Sequence, residues 1–526
     1  MTNFTSDSQL VARVMDERSE ARVEYIRGLN AGSHIHICGV CGTGTASVLR
    51  LLKQLGFRVT GSDKAFYPPM GEVVRRTADR VYENFSAENL ADRPDLVVIG
   101  NAVSRGNPEV EAVLEQGLPF ASMPEVFSAL LIGPRQFCPT SIVVAGTHGK
   151  TTTSAAITWV LEYAKRRPGF FIGGIPLNFE QSIRPVSKEL PVDNRVVVLE
   201  GDEYDSAFFS KFAKFHSYRP DIAVITSLEF DHGDIYHDVE EIEVEFTRFV
   251  ERVPEGGWIL VADNSPRLDK LVSSWRDNSK IKAPIVRYGG NLESKFHVIS
   301  RDSWVYQNIP RTFCGQELVV SLDRERLVIQ TKLTGIHNAF NILAAVAIGR
   351  RLGVGQTQMI DALREFSGVK RRQQIIAEVA DIVVLEDFAH HPTAVSATLS
   401  GIKEAYKEHR VVAVFEPRSN TSRSNYFQEQ YGKCFSDAAE VVILEVPCTG
   451  VYNGTDKQVE TLDVSQVVRD IKENGSNATS FATVEDIQHY LLDRCRAGDV
   501  VVLMSNGAFG GLPQSFPSAL KEKFGV

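Results

Sequence analysis

The chain has 526 residues, 43% of them apolar and 23% charged, with a formal net charge of -9 at pH 7. That size predicts about three domains with separate cores, and the acidic balance argues against a nucleic-acid partner, which needs a basic footprint. No apolar run is long enough to span a bilayer and Met1 to Asn30 has no signal-peptide core, so no membrane insertion is expected and the cytoplasm is the expected location, with seven scattered cysteines kept reduced.

Leu10, Val11 and Val14 carry helical spacing within Ser8 to Gly28, so residues 1–33 read as a helical extension. From His34 the order is strand H-I-H-I-C, turn G-V-C-G-T-G, helix A-S-V-L-R-L-L-K-Q-L and strand R-V-T-G-S-D, a βαβ unit with its turn at a helix N-terminus. The turn, with Gly39, Gly42, Thr43 and Gly44 and with Asp63 after the next strand, is G-x-x-G-x-G rather than the dinucleotide G-x-G-x-x-G. Taken alone it fits either a nicotinamide-dinucleotide site or a tightly packed turn. His34, His36 and Cys38 share a strand face, with Cys41 close by, a set that metal binding would use. No second Cys or His pair stands at zinc-finger spacing, so the set reads as part of the turn.

A strand at Leu96 to Gly100 and the prolines Pro134 and Pro139 close a first domain at 34–140. The second, 141–365, opens on the apolar run I-V-V-A followed by G-T-H-G-K-T-T-T. A strand, a glycine turn and a helix in that order make a triphosphate cradle. Gly146 and Gly149 let backbone N–H groups close on phosphate oxygens, Lys150 reaches the β and γ phosphates, and the Thr151 hydroxyl suits Mg²⁺. The general P-loop has a further glycine where this chain has Val144, so the loop is a shortened variant. Strands at Val196 to Leu199 and Ile222 to Thr226 alternate with helical stretches and imply a parallel sheet. The first ends in four acids, Glu200, Asp202, Glu203 and Asp205, where parallel sheets place ligands and where carboxylates hold Mg²⁺. The second runs on into L-E-F-D-H with His232. Short β-type segments fill Arg287 to Leu333, and an Ala-rich helix spans His337 to Leu352. The third domain, 366–526, alternates helices with strands at Ile382 to Leu385, Val411 to Phe415, Val441 to Leu444 and Val500 to Met504. Three consecutive α/β domains are predicted: Rossmann-like, P-loop-type ATPase, Rossmann-like.

In this order the motifs resemble the Mur ligases, the ATP-dependent amide-bond-forming enzymes of peptidoglycan metabolism. A-G-T-H-G-K-T resembles their ATP loop, and I-H-I-C-G-V-C-G-T, G-S-D-K-A-F-Y-P-P-M and I-G-N-A-V-S-R-G-N-P resemble their UDP-sugar-binding domain. The resemblance implies that Gly39, Gly42, Thr43 and Gly44 hold the UDP diphosphate and that Asp63, Ser104, Arg105 and Asn107 hold nucleotide or sugar. It implies ATP on Gly146, Thr147, His148, Gly149, Lys150, Thr151 and Thr152, with Mg²⁺ on Thr151 and Glu200 and a second Mg²⁺ on His232. One branch carries a carbamoylated lysine about fifteen residues after that histidine. This chain has Thr247 there, as in the branch of the muramate-alanine and peptide-adding ligases.

T-G-I-H-N-A-F-N resembles the adenine-contact helix, so His337, Asn338 and Asn341 are expected at the base. From G-V-K-R-R and E-D-F-A-H-H-P-T, Arg372 is expected at the γ-phosphate, Asp387 at the ribose and His390 in the pocket of the incoming amine. E-P-R-S-N-T-S-R and M-S-N-G-A-F-G-G match the peptide-adding branch, and by position Arg418, Ser419 and Asn420 are expected to bind peptide, with turn formation as the other reading. The implied reaction joins a murein tripeptide to the lactyl carboxylate of UDP-N-acetylmuramate through an acyl phosphate, in peptidoglycan recycling, with Lys150, Glu200, His232 and Arg372 as the catalytic set. Addition of free L-alanine is the near alternative. A non-catalytic nucleotide-sugar sensor would not need Lys150, Thr151, Glu200 and His232 together, and a dehydrogenase would leave the ATP loop unexplained.

Overall fold

The computed structural model describes residues 17–66, 70–231, 233, 235–306, 313–322, 325–445, 451–452 and 458–525. His232 and the first half of the expected N-terminal helix, with Leu10, Val11 and Val14, lie outside them. A helix occupies 17–27. Its Arg22 pairs with Glu125 at 3.0 Å and stacks on Phe120 and Phe209.

The first sheet has five parallel strands in the order Arg80–Tyr82, Arg58–Ser62, His34–Cys38, Leu96–Ile99, Phe120–Ala121. Both faces of the middle strands are covered: His34–Cys38 is buried throughout, and Leu96–Ile99 reads as an unbroken apolar run. The histidines on His34–Cys38 hydrogen-bond within the sheet, although His34 Nδ1 has no partner among the described residues. His34 Nε2 and His36 Nδ1 each lie 2.9 Å from Thr60 Oγ1. Burial pushes the Cys38 thiol up strongly and Cys41 up to about 11, so neither is a ready thiolate.

Beneath the glycine turn, fully buried Glu109 accepts from Ser62 Oγ and Asn89 Nδ2, both at 2.6 Å, and stands 3.4 Å from His36 Nε2. Burial opposes its charge, but His36, Cys38 and Ser62 outweigh it and hold the carboxyl below its ordinary value. Glu109→Ala leaves these donors without an acceptor and is expected to cost about 3–5 kcal/mol in urea unfolding. Because the folded value is depressed, the stabilisation is complete above the ordinary carboxylate range and fades as pH falls through the folded value. The variant should therefore lose that acid-side dependence.

The central sheet has ten strands. Six adjacent ones are parallel: Ile285–Gly289, Trp258–Ala262, Ile222–Ile225, Thr140–Ala145, Val196–Glu200 and Gly169–Phe171. Ile183–Arg184 edges one side as an antiparallel neighbour; on the other, Phe296–Tyr306 continues the parallel run beside Ile285–Gly289, and Phe313–Leu322 and Glu325–Thr331 follow it antiparallel. Successive residues face opposite layers. Val143, Ala145, Ala223 and Ile225 pack on one, while Ile142, Val144, Ile222 and Val224 pack with the helices Lys150–Tyr163 and Ile336–Arg351 on the other. From Thr140–Ala145 the chain fills one side of the sheet and then returns to fill the other. The carboxyl end of that strand is thus a topological switch point, where open α/β sheets form a crevice.

The third sheet runs Gln374–Val379, Ile382–Asp387, Asp499–Met504, Arg410–Phe415, Glu440–Leu444, Asn477–Phe481, antiparallel only at the first pair. Each strand expected from the sequence is present. Other strands are not legible in the sequence, among them Gly169–Phe171, Gln374–Val379, Asn477–Phe481 and Trp258–Ala262, the last because a fully buried five-residue run has no period to distinguish it. Among the described residues no helix is long and apolar enough to cross a membrane.

Candidate active site

At the switch point the strand Thr140–Ala145 hands over to the helix Lys150–Tyr163 through Gly146 and Gly149, both at positive φ (138° and 83°). A Cβ on Gly146 would lie 2.2 Å from Thr226 Oγ1, and one on Gly149 would lie 2.6 Å from Asn341 Oδ1. Side chains are therefore excluded at both places. No side chain caps the helix, which leaves its first N–H groups for an anion. The end of the next strand fixes the turn: Ser227 Oγ accepts from His148 N at 2.7 Å, Thr226 Oγ1 donates to His148 O at 2.5 Å, and Thr147 Oγ1 accepts from Glu229 N at 2.9 Å.

Lys150 Nζ reaches back to Gly146 O at 2.6 Å and pairs with both oxygens of buried Glu203 at 2.9 and 2.7 Å. Burial alone would lower this lysine. The charges of Glu203, Asp202 and Glu200 override that and raise it, so it stays an ammonium. Glu203 is the residue the sequence left without a role, although it stood in the quoted run of acids.

Glu200 accepts from Thr151 Oγ1 at 2.9 Å and from Gly173 N at 2.7 Å. Burial raises its carboxyl against the opposing pull of Lys150 and Arg372, which brings the loop lysine, the strand-end acid and the third-domain arginine into one electrostatic group. A hydroxyl and a carboxylate in contact are the hard oxygen donors that Mg²⁺ takes, so these residues fit that ion. Thr247, where a carbamoylated lysine would stand, accepts from Trp275 Nε1 at 2.9 Å and donates to Glu243 O at 2.8 Å.

Asn338 and Asn341 are buried and spend their amides inside the protein. Asn341 Oδ1 accepts from Thr153 Oγ1 at 3.0 Å, its Nδ2 donates to Asn338 Oδ1 at 3.0 Å, and Asn338 Nδ2 donates to Thr334 O at 2.9 Å and Gln373 Oε1 at 3.2 Å. They tie the Ile336–Arg351 helix to the phosphate loop on one side and to the segment of Arg372 on the other. His337, just before them, is partly exposed. Its Nδ1 hydrogen-bonds nothing, and burial with Arg301 and Arg372 nearby pushes it down to about 4, so it is neutral.

Arg371 and Gln373, at φ 61° and 47°, bracket Arg372 in a tight bend. Asp387 holds that bend: its Oδ2 accepts from Gln373 N at 2.7 Å and its Oδ1 from Ala389 N at 2.8 Å. The Arg372 guanidinium lies 4.8 Å over the Phe388 ring, and Arg371 bonds Glu386 and Ser505 O, each at 2.7 Å.

Of the peptide candidates, His390 Nδ1 lies 3.1 Å from Phe388 O, and its own carbonyl accepts from Tyr431 OH at 2.6 Å. Ser419 caps the helix Asn420–Arg423, accepting from Ser422 N at 3.0 Å. Arg418 is exposed and lies against Gly507, where a Cβ would sit 2.1 Å from Arg418 Cδ, so the two motifs of this domain meet.

In the first domain Asp63 Oδ2 accepts from Cys41 N at 2.9 Å and braces the glycine turn. Gly42 is the N-cap residue of the helix Thr43–Gln54, Gly39 has φ 79°, and Gly44 packs on Met123. Asn107 caps the helix Pro108–Glu115 through Glu109 N at 2.9 Å, Arg105 pairs with Glu111 at 2.9 Å, and Ser104 is exposed.

Comparison with known proteins gives the same frame. Residues 34–133, 144–349 and 371–507 match, in turn, the Mur ligase family catalytic domain, the Mur ligase middle domain and the Mur ligase glutamate ligase domain. The chain is 34% identical to the UDP-N-acetylmuramate–L-alanyl-γ-D-glutamyl-meso-2,6-diaminoheptandioate ligase of Escherichia coli, over 93% of this chain and 98% of that one. It is 30% identical to the UDP-N-acetylmuramate–L-alanine ligase of Carboxydothermus hydrogenoformans, over 90% and 94%. A murein peptide ligase structure from Psychrobacter arcticus superposes with a TM-score of 0.67 at 32% identity, over 93% of this chain and 99% of that one. With three family domains in order and this identity along nearly its whole length, the chain belongs to the Mur ligase family of ATP-dependent, amide-bond-forming ligases.

Proposed function

We propose that the protein joins L-alanyl-γ-D-glutamyl-meso-diaminopimelate to the lactyl carboxylate of UDP-N-acetylmuramate in the cytoplasm, as a step of peptidoglycan recycling. The observation that carries this reading is the convergence of Lys150, Thr151, Glu200 and Arg372 at the switch point of the central sheet, in a chain whose 34% identical relative bears that activity in its name. We divide the roles among 34–140 for the UDP-sugar, 141–365 for ATP and 366–526 for the peptide.

A carboxylate is too poor an electrophile for an amine, so the lactyl oxygen first attacks the γ-phosphorus of ATP and ADP departs. Lys150 exchanges Glu203 for the triphosphate oxygens, and Arg372, planar and permanently charged, neutralises the transferring group. One Mg²⁺ held by Thr151 and Glu200, and a second held by His232, would supply additional charge neutralisation when bound. The glycine turn Gly39 to Gly44, with Asp63, Ser104, Arg105 and Asn107, orients the UDP-sugar. His337, Asn338, Asn341 and Asp387 shape the adenosine side. The peptide's amine nitrogen, oriented by His390, Arg418, Ser419 and Asn420, then attacks the acyl carbon. Phosphate leaves, the nitrogen loses a proton, and the amide remains.

Phosphate release in the presence of ATP, Mg²⁺ and UDP-N-acetylmuramate tests this with three additions: the tripeptide, L-alanine, or no amine. Release that requires the tripeptide is expected. Release with L-alanine alone would move the protein to the alanine-adding branch, and none with any amine would leave a binding protein.

A further inference from the structure

Beside the phosphate loop stands a second group of donor atoms whose side chains the proposed reaction leaves unused. His148 of the loop faces Glu229, Nε2 to Oε2 at 3.3 Å, and His391, the N-cap residue of the helix Pro392–Ala405, brings its Nδ1 to 3.7 Å from the same oxygen. One donor atom of each residue lies within 4.8 Å of the other two, and this is the one such group of His, Cys, Asp and Glu among the described residues. We propose that His148, Glu229 and His391 form a binding site for a borderline-soft divalent cation, with Zn²⁺ the best fit, that bridges the central and C-terminal domains.

The donor set decides the class of ion. Two imidazoles and one carboxylate suit Zn²⁺, whereas Mg²⁺ and Ca²⁺ take oxygen shells. A tetrahedral ion with bonds of about 2.0–2.1 Å holds its ligands roughly 3.3–3.4 Å apart. The 3.3 Å separation matches this, the 3.7 Å one must close by roughly 0.3–0.4 Å, and the 4.8 Å limit leaves a shift on the order of 1 Å or a little more for the remaining pair. Partly exposed His148 and Glu229 leave a route for the ion and a fourth position for water.

His391 is pre-set for the task. It is 5% exposed, its Nε2 hydrogen-bonds nothing, and its Nδ1 accepts only a long contact of 3.3 Å from Thr393 N. Burial and the neighbouring His148 push it down to about 4, so the ring is neutral, as a metal ligand must be. Its position is fixed by Phe427, with ring centroids 4.5 Å apart, and by His148 at 4.9 Å. An ion here would pin the helix Pro392–Ala405 to the phosphate loop.

The test uses the full chain without nucleotide, so it reads metal binding rather than turnover and is independent of the ligase assignment. Titration of Zn²⁺ against a chromogenic chelator should find one ion per chain, and Co²⁺ should give the visible bands of a low-coordinate site. His391→Ala and His148→Ala should each weaken Zn²⁺ binding at least about tenfold, as should Glu229→Gln, which keeps the side chain's shape if an alanine variant fails to fold. His232→Ala and Glu200→Gln, which remove the expected Mg²⁺ ligands, should leave it unchanged. The proposal is overturned if the wild type binds no stoichiometric Zn²⁺, or if binding follows His232 and Glu200 instead of His148, Glu229 and His391.

Discussion

Lys150→Ala is expected to lower tripeptide-dependent phosphate release by about 10³-fold, on the order of 4 kcal/mol of transition-state stabilisation, while UDP-N-acetylmuramate affinity changes by less than about twofold. The first effect follows from the loop. Lys150 is its one cation, is held charged by Glu203, Asp202 and Glu200, and sits where the first turn of the helix meets the glycine bend. The second follows from the fold, because the glycine turn expected to hold the UDP diphosphate belongs to a different sheet. Removing the ammonium also strands Glu203, a buried carboxylate, so some loss of stability accompanies the variant. Lys150→Ala combined with Glu203→Gln separates the causes. The pair should recover thermal stability and stay inactive. Recovery of activity in the double variant would show that Lys150 serves only to neutralise Glu203, and a large loss of UDP-sugar affinity by calorimetry would show that the two nucleotide sites are not separate.

The wild-type enzyme is expected to prefer the tripeptide over L-alanine by at least about a hundredfold in kcat/KM, since a site that binds remote polar groups loses most on substrates that lack them. Arg418→Ala should remove about 10- to 100-fold of the tripeptide value and alter any residual alanine reaction much less. Arg418 is exposed, and no shape requirement of the core holds it there. It lies along Gly507, whose missing Cβ gives it room. Gly507→Ala should therefore act in the same direction by displacing the arginine, with the smaller effect of a side chain that can move aside. Equal losses for both amines in Arg418→Ala would assign this arginine to the fold of the domain instead of the peptide.

Several residues to which the motifs imply a ligand also have partners inside the protein. Asp387, expected at a ribose, has both oxygens on backbone N–H groups that hold the bend of Arg372. Asn338 and Asn341, expected at the adenine, form a chain of amides between Thr153 and Gln373. Asn107 and Ser419 are helix caps. What no motif carried is the direct partner, and a partner is what divides a residue that touches substrate from one that positions its neighbour.

The sequence by itself determined the three α/β units, the strand runs and the phosphate loop. All of these rest on short-range physics: the two-residue alternation of strands, the apolar faces of helices, and the exclusion of a Cβ at Gly146 and Gly149. The tertiary structure alone decided that Lys150 pairs with Glu203, 53 positions away, that Thr153 bonds Asn341 across 188, and that His391 reaches Glu229 from another domain. Those contacts depend on the order in which strands enter the sheet and on how the third domain docks. Neither leaves a period in the chain, because a long-range hydrogen bond asks only that two compatible groups arrive at one place and sets no spacing between them.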